Sequence, residues 1–124
     1  HRDHPHCDTA RSLINLANCY VRLTEYQQAI DCFQQALAIL KQVYGGNSHP
    51  LIAVSLTMLG RSYFALGNHS KAIENCEQSL RVGREIYREG PRPEVVNILT
   101  MLGRSYFVLG DHSKAIENYE ESLR

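Results

Sequence analysis

Apolar residues recur along the chain at the spacing of one face of an α-helix. One such stripe runs through residues 9–22, a second follows after a short polar break, and the same alternation continues to the end of the chain. The pattern predicts an all-α fold of three antiparallel helix pairs. The first pair carries Leu13, Leu16, Ala17 and Tyr20 on one helix, and Ala29, Ile30, Phe33, Ala36 and Leu37 on the other.

The last two helix pairs have nearly the same sequence. Residues 56–81 and 99–124 are identical at 22 of 26 aligned positions, at an offset of 43 residues. The same offset relates Leu56 to Leu13 and Tyr63 to Tyr20, so a diverged copy precedes them. Repeats of this length form solenoids, in which each unit buries its apolar face against its neighbours. We expect one array over residues 1–124, with repeats at about 4–46, 47–89 and 90–124.

Short polar segments predict where the helices of each pair meet. Leu66-Gly67-Asn68 and Leu109-Gly110-Asp111 each combine a helix stop with a capping residue. In the first copy, Thr24 and Gln27 have the spacing of a capping box. We therefore expect a tight turn inside every pair.

The starts of the first helices are also marked in the sequence. Pro50 and Pro93 are expected to open the second and third pairs, after glycine-containing segments at 45–48 and 89–91 end the preceding helices. For the first pair, Asp8 or Thr9 can cap a helix that begins near residue 9, and Pro5 offers an earlier start.

Gly60 and Gly103 stand inside predicted helices, in the slot that Ala17 occupies in the first copy. Glycine costs about 1 kcal/mol relative to alanine in a helix interior. A second helix that approaches closely at this point explains its presence. Small residues on the second helices, such as Ala72 and Ser79, fit the same tight packing.

Composition removes several classes of function. The formal net charge is zero and the pI is near 7.2, without the basic bias of nucleic-acid binders or of proteins that bind anionic membranes. The chain has no long apolar run and no signal-like N-terminus. Cys7, Cys19, Cys32 and Cys76 do not recur with the repeat, which favours reduced thiols and a cytoplasmic location.

The sequence motifs of the second helix pair resemble those of the tetratricopeptide repeat. They are Leu56-Thr-Met-Leu59-Gly60-Arg-Ser-Tyr63 on the first helix and Ala72, Cys76 and Ser79 on the second. The long period and the linkers Asp3-His4-Pro5 and 44–50 are similar to the extended repeats of kinesin light chains. Cys76 stands where the family usually has an aromatic residue. His69 and His112 stand at the position where the first copy has the more typical Tyr26. The resemblance implies a right-handed superhelix whose first helices line a concave peptide-binding groove.

One face of the first helices is expected to line that groove. In residues 9–22, 50–66 and 93–109, Glu94 is the only acid, and all four basic residues are arginines. An acidic segment with hydrophobic anchors is the matching guest. Alternatively, Arg61 and Arg104 pair with acids of the next helix. The expected groove residues are Arg11, Ile14, Asn18, Arg22, Val54, Thr57, Arg61, Phe64, Asn97, Thr100, Arg104 and Phe107.

Candidate chemistry beyond binding is sparse. His69 and His112 follow capping residues and are interpreted as packing groups, with no accompanying nucleophile or acid–base set. His1, His4, His6 and Cys7 match no closed zinc site, so we expect no metal and no cofactor. Some members of this family bind a C-terminal carboxylate through lysine and asparagine side chains. In this chain, only Asn18 fits that pattern.

These observations predict a non-catalytic scaffold that binds a peptide or helical segment of another protein, with no nucleic acid and no membrane. The alternative is a sensor or regulatory array within a larger enzyme or signalling protein. RNA recognition is disfavoured because apolar residues interrupt a polar groove, namely Phe64, Phe107, Val54 and Ile14. The third pair stops at the equivalent of Arg81, so we also expect a fragment of a longer array, or self-association through the uncapped C-terminal end.

Overall fold

In the computed structural model, which describes residues 5–46, 48–88 and 92–124, the chain folds into six α-helices and has no strand in these ranges. The helices are α1 Pro5–Arg22, α2 Tyr26–Tyr44, α3 Pro50–Ala65, α4 His69–Ile86, α5 Pro93–Val108 and α6 His112–Ser122. Each helix packs against its neighbours in chain order. The predicted all-α solenoid of three antiparallel helix pairs is confirmed.

Proline begins the first helix of each pair. α3 and α5 start at Pro50 and Pro93 as predicted, and α1 starts at Pro5, the earlier of its two expected starts. Proline is favourable there because the first helical residue needs no amide hydrogen for the ladder. The His49 ring caps α3, since its Nδ1 accepts a hydrogen bond from the Leu51 amide at 3.1 Å. The expectation of an N-cap at Asp8 or Thr9 is wrong.

The turns inside the second and third pairs have the predicted chemistry. Gly67 and Gly110 adopt left-handed backbone with φ of 84° and 87°. The next residues, Asn68 and Asp111, each accept a hydrogen bond at 3.2 Å from the backbone amide three positions later. These bonds satisfy a free donor at the start of α4 and α6.

The turn of the first pair corrects a prediction. Thr24 occupies the position of Gly67 and takes the same left-handed backbone, with φ of 59°. Its hydroxyl donates to the Leu23 carbonyl at 2.6 Å, and the N-cap of α2 is Glu25, without a side-chain capping bond. The predicted capping box of Thr24 with Gln27 is therefore wrong, because Thr24 terminates α1 instead of opening α2.

The core consists of two clusters of buried side chains. The first joins α1, α2 and α3 around Ile30, Phe33 and Leu56, and the second joins α4 and α5 around Cys76 and Leu102. Each cluster includes a contact between a second helix and the first helix of the next pair, and the first cluster also includes the contact of α1 with α2. The array therefore gains its stability between pairs as well as within them.

Close helix approach at the glycines is confirmed. A Cβ atom added to Gly60 would lie 2.5 Å from the Cys76 Sγ, and one added to Gly103 would lie 2.7 Å from the Tyr119 ring. Leu16 departs from prediction, since its side chain is 45% exposed although its equivalent Leu59 is buried. Leu59 packs against α2, and no helix of the described chain precedes α1 to cover Leu16 in the same way.

Some predicted features lie at residues 1–4, 47 and 89–91, which are outside the described residues. They include His1, His4 and the expected helix stop at 89–91. Within the described part of the chain, no helix is long and apolar enough to cross a membrane.

Candidate functional site

A cavity of about 290 Å³ lies between α3 and α5, the first helices of the second and third pairs. α3 and α5 also contact each other directly. Four of the residues expected in the groove line this cavity: Val54, Thr57, Arg61 and Asn97. The full lining also includes Pro50, Ala53, Met58, Tyr87, Glu94 and Ile98. We call this space the α3–α5 cavity.

Tyr87 is the lining residue that sequence reasoning missed most clearly. It is the C-cap residue of α4, which is a second helix, whereas groove residues were expected only on the first helices. Its equivalent Tyr44 stacks on His49 with ring centroids 3.8 Å apart. The recurrence of a tyrosine at 44 and 87 was the available signal that this position packs at the junction of two pairs.

Among the described residues, neither Arg61 nor Arg104 forms an ion pair with an acid of the next helix. The ion pair found there joins Arg84 to Glu121. The Arg104 guanidinium instead lies over the Phe64 ring, 4.9 Å from its centroid. The equivalent of Phe64 one copy earlier is Val21, so Arg61 has no corresponding ring. Arg61 is thus exposed at the α3–α5 cavity with its donors available.

The two groove phenylalanines each contact a histidine. Phe64 meets His69 edge to face at 4.7 Å, and Phe107 meets His112 in the same way at 5.0 Å. Phe64 is half-buried against the second core cluster, whereas Phe107 is exposed. The interpretation of the two histidines as packing groups at a helix start is confirmed.

Thr57 is engaged in a hydrogen-bond network that limits its role. Its hydroxyl lies 2.6 Å from the Ser79 hydroxyl, and both hydroxyls lie 2.9 Å from the Ala53 carbonyl oxygen. Thr100, one copy later, donates to the Val96 carbonyl of its own helix at 2.9 Å. The Thr57 hydroxyl therefore joins α3 to α4. The methyl group of Thr57 is the part of the side chain left for the cavity wall.

The groove residues expected on α1 are not brought into the α3–α5 cavity. Arg11, Asn18 and Arg22 are exposed, but Ile14 is buried in the first core cluster and is not available to a partner. The expectation for Ile14 is wrong because its position faces the second helix of its own pair, as the equivalent Thr57 does where it contacts Ser79 on α4. Burial, with a smaller effect of Arg11, lowers the pKa of His49, so Arg11 stands near the start of α3.

The arrangement is suited to binding and offers no reactive thiol at the cavity. Burial raises the pKa of Cys76 to about 12, against a smaller opposing effect of Arg61, so the thiol stays protonated at neutral pH. Cys76 is also fully buried. Within the described residues, no cluster of three or more histidine, cysteine or acidic side chains is placed to hold a metal ion.

A family model of the tetratricopeptide repeat (TPR) matches residues 8–85 and 52–124. No curated protein sequence matches the chain significantly. The crystal structure of the TPR domain of Arabidopsis FLU is similar at 19% identity and a TM-score of 0.84, and covers 96% of this chain and 95% of that one.

Two longer solved structures are also similar. A putative kinesin light chain of Podospora anserina with nearly identical TPR-like repeats has 26% identity and a TM-score of 0.78, over 98% of this chain and 56% of that one. BtubC from P. vanneervenii has 22% identity and a TM-score of 0.85, over 93% of this chain and 45% of that one. The chain thus spans about half the length of these two structures.

Proposed function

Because the chain belongs to the tetratricopeptide repeat family, we propose that it is a non-catalytic scaffold that binds a segment of another protein along α1, α3 and α5. TPR arrays are commonly protein-interaction scaffolds. The observation that carries the proposal is the α3–α5 cavity, which opens between two first helices and combines an apolar wall with an unpaired arginine.

The size of the cavity supports a side-chain anchor as its occupant. About 290 Å³ is close to the lower end of ligand pockets, which span roughly 300–1,000 Å³. That space suits one large apolar side chain of a bound segment. Val54, Met58 and Ile98 supply the apolar contacts, and an inserted side chain removes their surface from water.

The exposed arginines of α3 and α5, of which Arg61 lines the cavity, support an acidic partner. Arg61 and Arg104 are exposed, and neither forms an ion pair among the described residues. A guanidinium offers a planar fork of donors that matches a carboxylate. Glu94 lines the same cavity as Arg61, so we propose that the acidic residue of the partner lies on the Arg61 side of its apolar anchor.

The test uses synthetic peptides that carry one leucine or phenylalanine anchor flanked by glutamates. Fluorescence anisotropy should detect binding to the wild-type chain and a loss of at least about tenfold in affinity for Arg61→Glu with Arg104→Glu, since each reversal replaces attraction by repulsion. Circular dichroism checks that helicity is unchanged.

Arg81→Glu serves as the matched control. Arg81 is an exposed arginine that lines a different cavity, with Gln78 and Glu85, so its reversal should leave peptide affinity unchanged. Equal binding by the wild type and the double variant would overturn the groove assignment. Equal binding of peptides in which lysine replaces every glutamate would overturn the acidic specificity.

We also propose self-association of the chain through α6, on a separate observation. Ile116 on α6 is 55% exposed, and Leu123, which directly follows the helix, is 86% exposed. They are the equivalents of Ile73 and Leu80, which face α5 in the second pair. A second copy that presents its own apolar face to α6 would cover this surface.

Sedimentation equilibrium tests the self-association proposal. The wild-type chain should show concentration-dependent mass, and Ile116→Glu with Leu123→Glu should remain monomeric because charged side chains oppose burial. A wild-type chain that stays monomeric at high concentration would refute the proposal.

A further inference from the structure

A second cavity, of about 400 Å³, lies where α4 ends, α5 begins and α6 ends. It is lined by four arginines and by one glutamate among its charged residues, together with an aliphatic wall from α5. We call it the arginine cavity. Its charged residues are Arg84, Arg88, Arg92, Arg124 and Glu121, and its wall includes Val95, Val96 and Leu99.

In the part of the chain that the structure describes, most of this positive charge has no carboxylate partner. Glu121 forms an ion pair with Arg84. Arg88 donates its Nε–H to the backbone carbonyl of Glu85 at 3.3 Å, which leaves its terminal nitrogens available. Arg92 lies over the Tyr87 ring, 5.5 Å from its centroid. Among the described residues, no ion pair involves Arg88, Arg92 or Arg124.

The equivalent junction between the first and second pairs carries less of this charge. Lys41 and Arg81 occupy the positions of Arg84 and Arg124 there. A cavity of about 180 Å³ lies there, and its charged residues are Arg81 and Glu85, one of each sign. The positions of Arg88 and Arg92 are occupied by Gly45 and His49. Arg88 and Arg92 are therefore the charges that distinguish the second junction from the first.

We propose that the arginine cavity binds a phosphomonoester carried on a segment of another protein. A phosphorylated side chain has a charge of about −1.5 to −2 and three acceptor oxygens, and an arginine cluster supplies charge-assisted hydrogen bonds to it. The aliphatic wall is suited to the carbon chain next to the phosphate. A bare phosphate ion would leave that wall and most of the volume empty.

The geometry disfavours a nucleotide as the source of the phosphate. Tyr87 is the aromatic residue of the cavity lining, and the Arg92 guanidinium already lies over its ring. A nucleobase could stack on that face of the ring only by displacing the Arg92 guanidinium. Tyr87 also lines the α3–α5 cavity, so the two cavities share a wall. The choice of a protein segment as carrier rests on the proposed function, because one bound segment can reach both cavities past Tyr87.

The experiment titrates the 124-residue chain with the acidic anchor peptide in two forms, with serine or with phosphoserine placed at successive distances from the anchor. Calorimetry should show that phosphorylation at one spacing strengthens binding by about tenfold or more. Arg88→Gln with Arg92→Gln should abolish that gain and leave the affinity for the unphosphorylated peptide unchanged. Arg81→Gln, at the equivalent junction, should keep the gain.

A second readout separates failure of this inference from failure of the proposed function. The arginine Nε–Hε NMR resonances are followed while phosphoserine, inorganic phosphate and AMP are added to the chain. Phosphoserine should shift the Arg88 and Arg92 resonances at lower concentration than the other two. Shifts without peptide binding would retain the phosphate site and overturn the groove. Absence of shifts, no gain from any phosphopeptide, or tighter binding of AMP would overturn this inference.

Discussion

The second helices α4 and α6 share most of their sequence and differ in what surrounds them. Leu80 on α4 is 8% exposed, whereas its equivalent Leu123, at the C-cap of α6, is 86% exposed. α4 packs against both α3 and α5, whereas α6 packs mainly against α5 and is joined to α4 by the Arg84–Glu121 ion pair. The difference shows that a repeat sequence specifies the helix and its apolar face, while the burial of that face depends on the next pair.

The largest expected effect comes from truncating the two equivalent leucines. Leu80→Ala should lower the free energy of unfolding by about 2–5 kcal/mol, because it removes buried methyl groups and leaves a cavity. Leu123→Ala should change it by less than about 0.5 kcal/mol. Urea denaturation followed by circular dichroism, at a protein concentration where the chain is monomeric, gives both values. Equal losses would show that another surface covers Leu123.

The two helix-contact glycines should differ by a smaller amount. Gly60→Ala places a Cβ atom against the buried Cys76 Sγ and 3.3 Å from the Ala72 carbonyl oxygen. We expect it to cost about 1–3 kcal/mol, even though alanine favours a helix by about 1 kcal/mol. Gly103→Ala should cost less, since the half-buried Tyr119 ring has open space into which to turn.

Thermal unfolding of the two alanine variants measures this difference. The control is Gly60→Ala combined with Cys76→Ala, which removes the sulfur that the new methyl group meets and should restore most of the lost stability. A melting temperature unchanged by Gly60→Ala would contradict the close contact.

The dependence of stability on alkaline pH should report the burial of the Cys76 thiol on α4. Burial raises the pKa of Cys76 from 9.0 to about 12. Above pH 9 the thiol ionises in the unfolded chain first, so stability falls as pH rises from about 9 to 12. The loss should reach about 1 kcal/mol near pH 10.

Denaturation of the wild type and of Cys76→Ala at pH 8 and pH 10 isolates this contribution. The comparison is needed because Tyr106, whose pKa burial and the hydrogen bond to Glu77 raise to about 12, adds its own loss above pH 10. Identical pH dependence of the two proteins would contradict the assignment to Cys76.

The smallest expected difference concerns two equivalent serines. Ser79 is buried and bonds to Thr57 and to the Ala53 carbonyl across the α3–α4 interface. Ser122 donates to the Tyr119 carbonyl of its own helix at 2.6 Å. We expect Ser79→Ala to cost about 0.5–1 kcal/mol and Ser122→Ala to have no measurable effect in the same denaturation assay. A larger loss from Ser122→Ala would reverse the comparison.

Local signals in the sequence were sufficient for the helices and for most of their ends, but the cap expected for α1 at Asp8 or Thr9 was wrong. Apolar spacing located six helices, Asn68 and Asp111 marked helix starts, and Gly60 and Gly103 marked close contacts. Each of these features depends on residues within a few positions of one another or on one repeated neighbour. Thr24 was misread because a threonine in the left-handed region is uncommon, and its equivalence to Gly67 was the better guide.

The candidate site was predicted less completely. Val54, Thr57, Arg61 and Asn97 were identified because they lie on one face of the first helices, at positions related by the repeat. Tyr87 and the arginine cavity were missed, since they depend on three helices meeting at one point. Periodicity within a single helix carries no information on such a meeting point.

By itself the sequence determined the repeat, the helix pairs and the apolar face of each helix, because periodic side chains and capping residues act over short distances along the chain. The tertiary structure decided which equivalent residues are buried, as Leu80 is and Leu123 is not. It also left Arg61 unpaired while Arg104 stacks on Phe64. The physical reason is that burial and ion pairing depend on the neighbouring helix, which near-identical repeat sequences do not have in common.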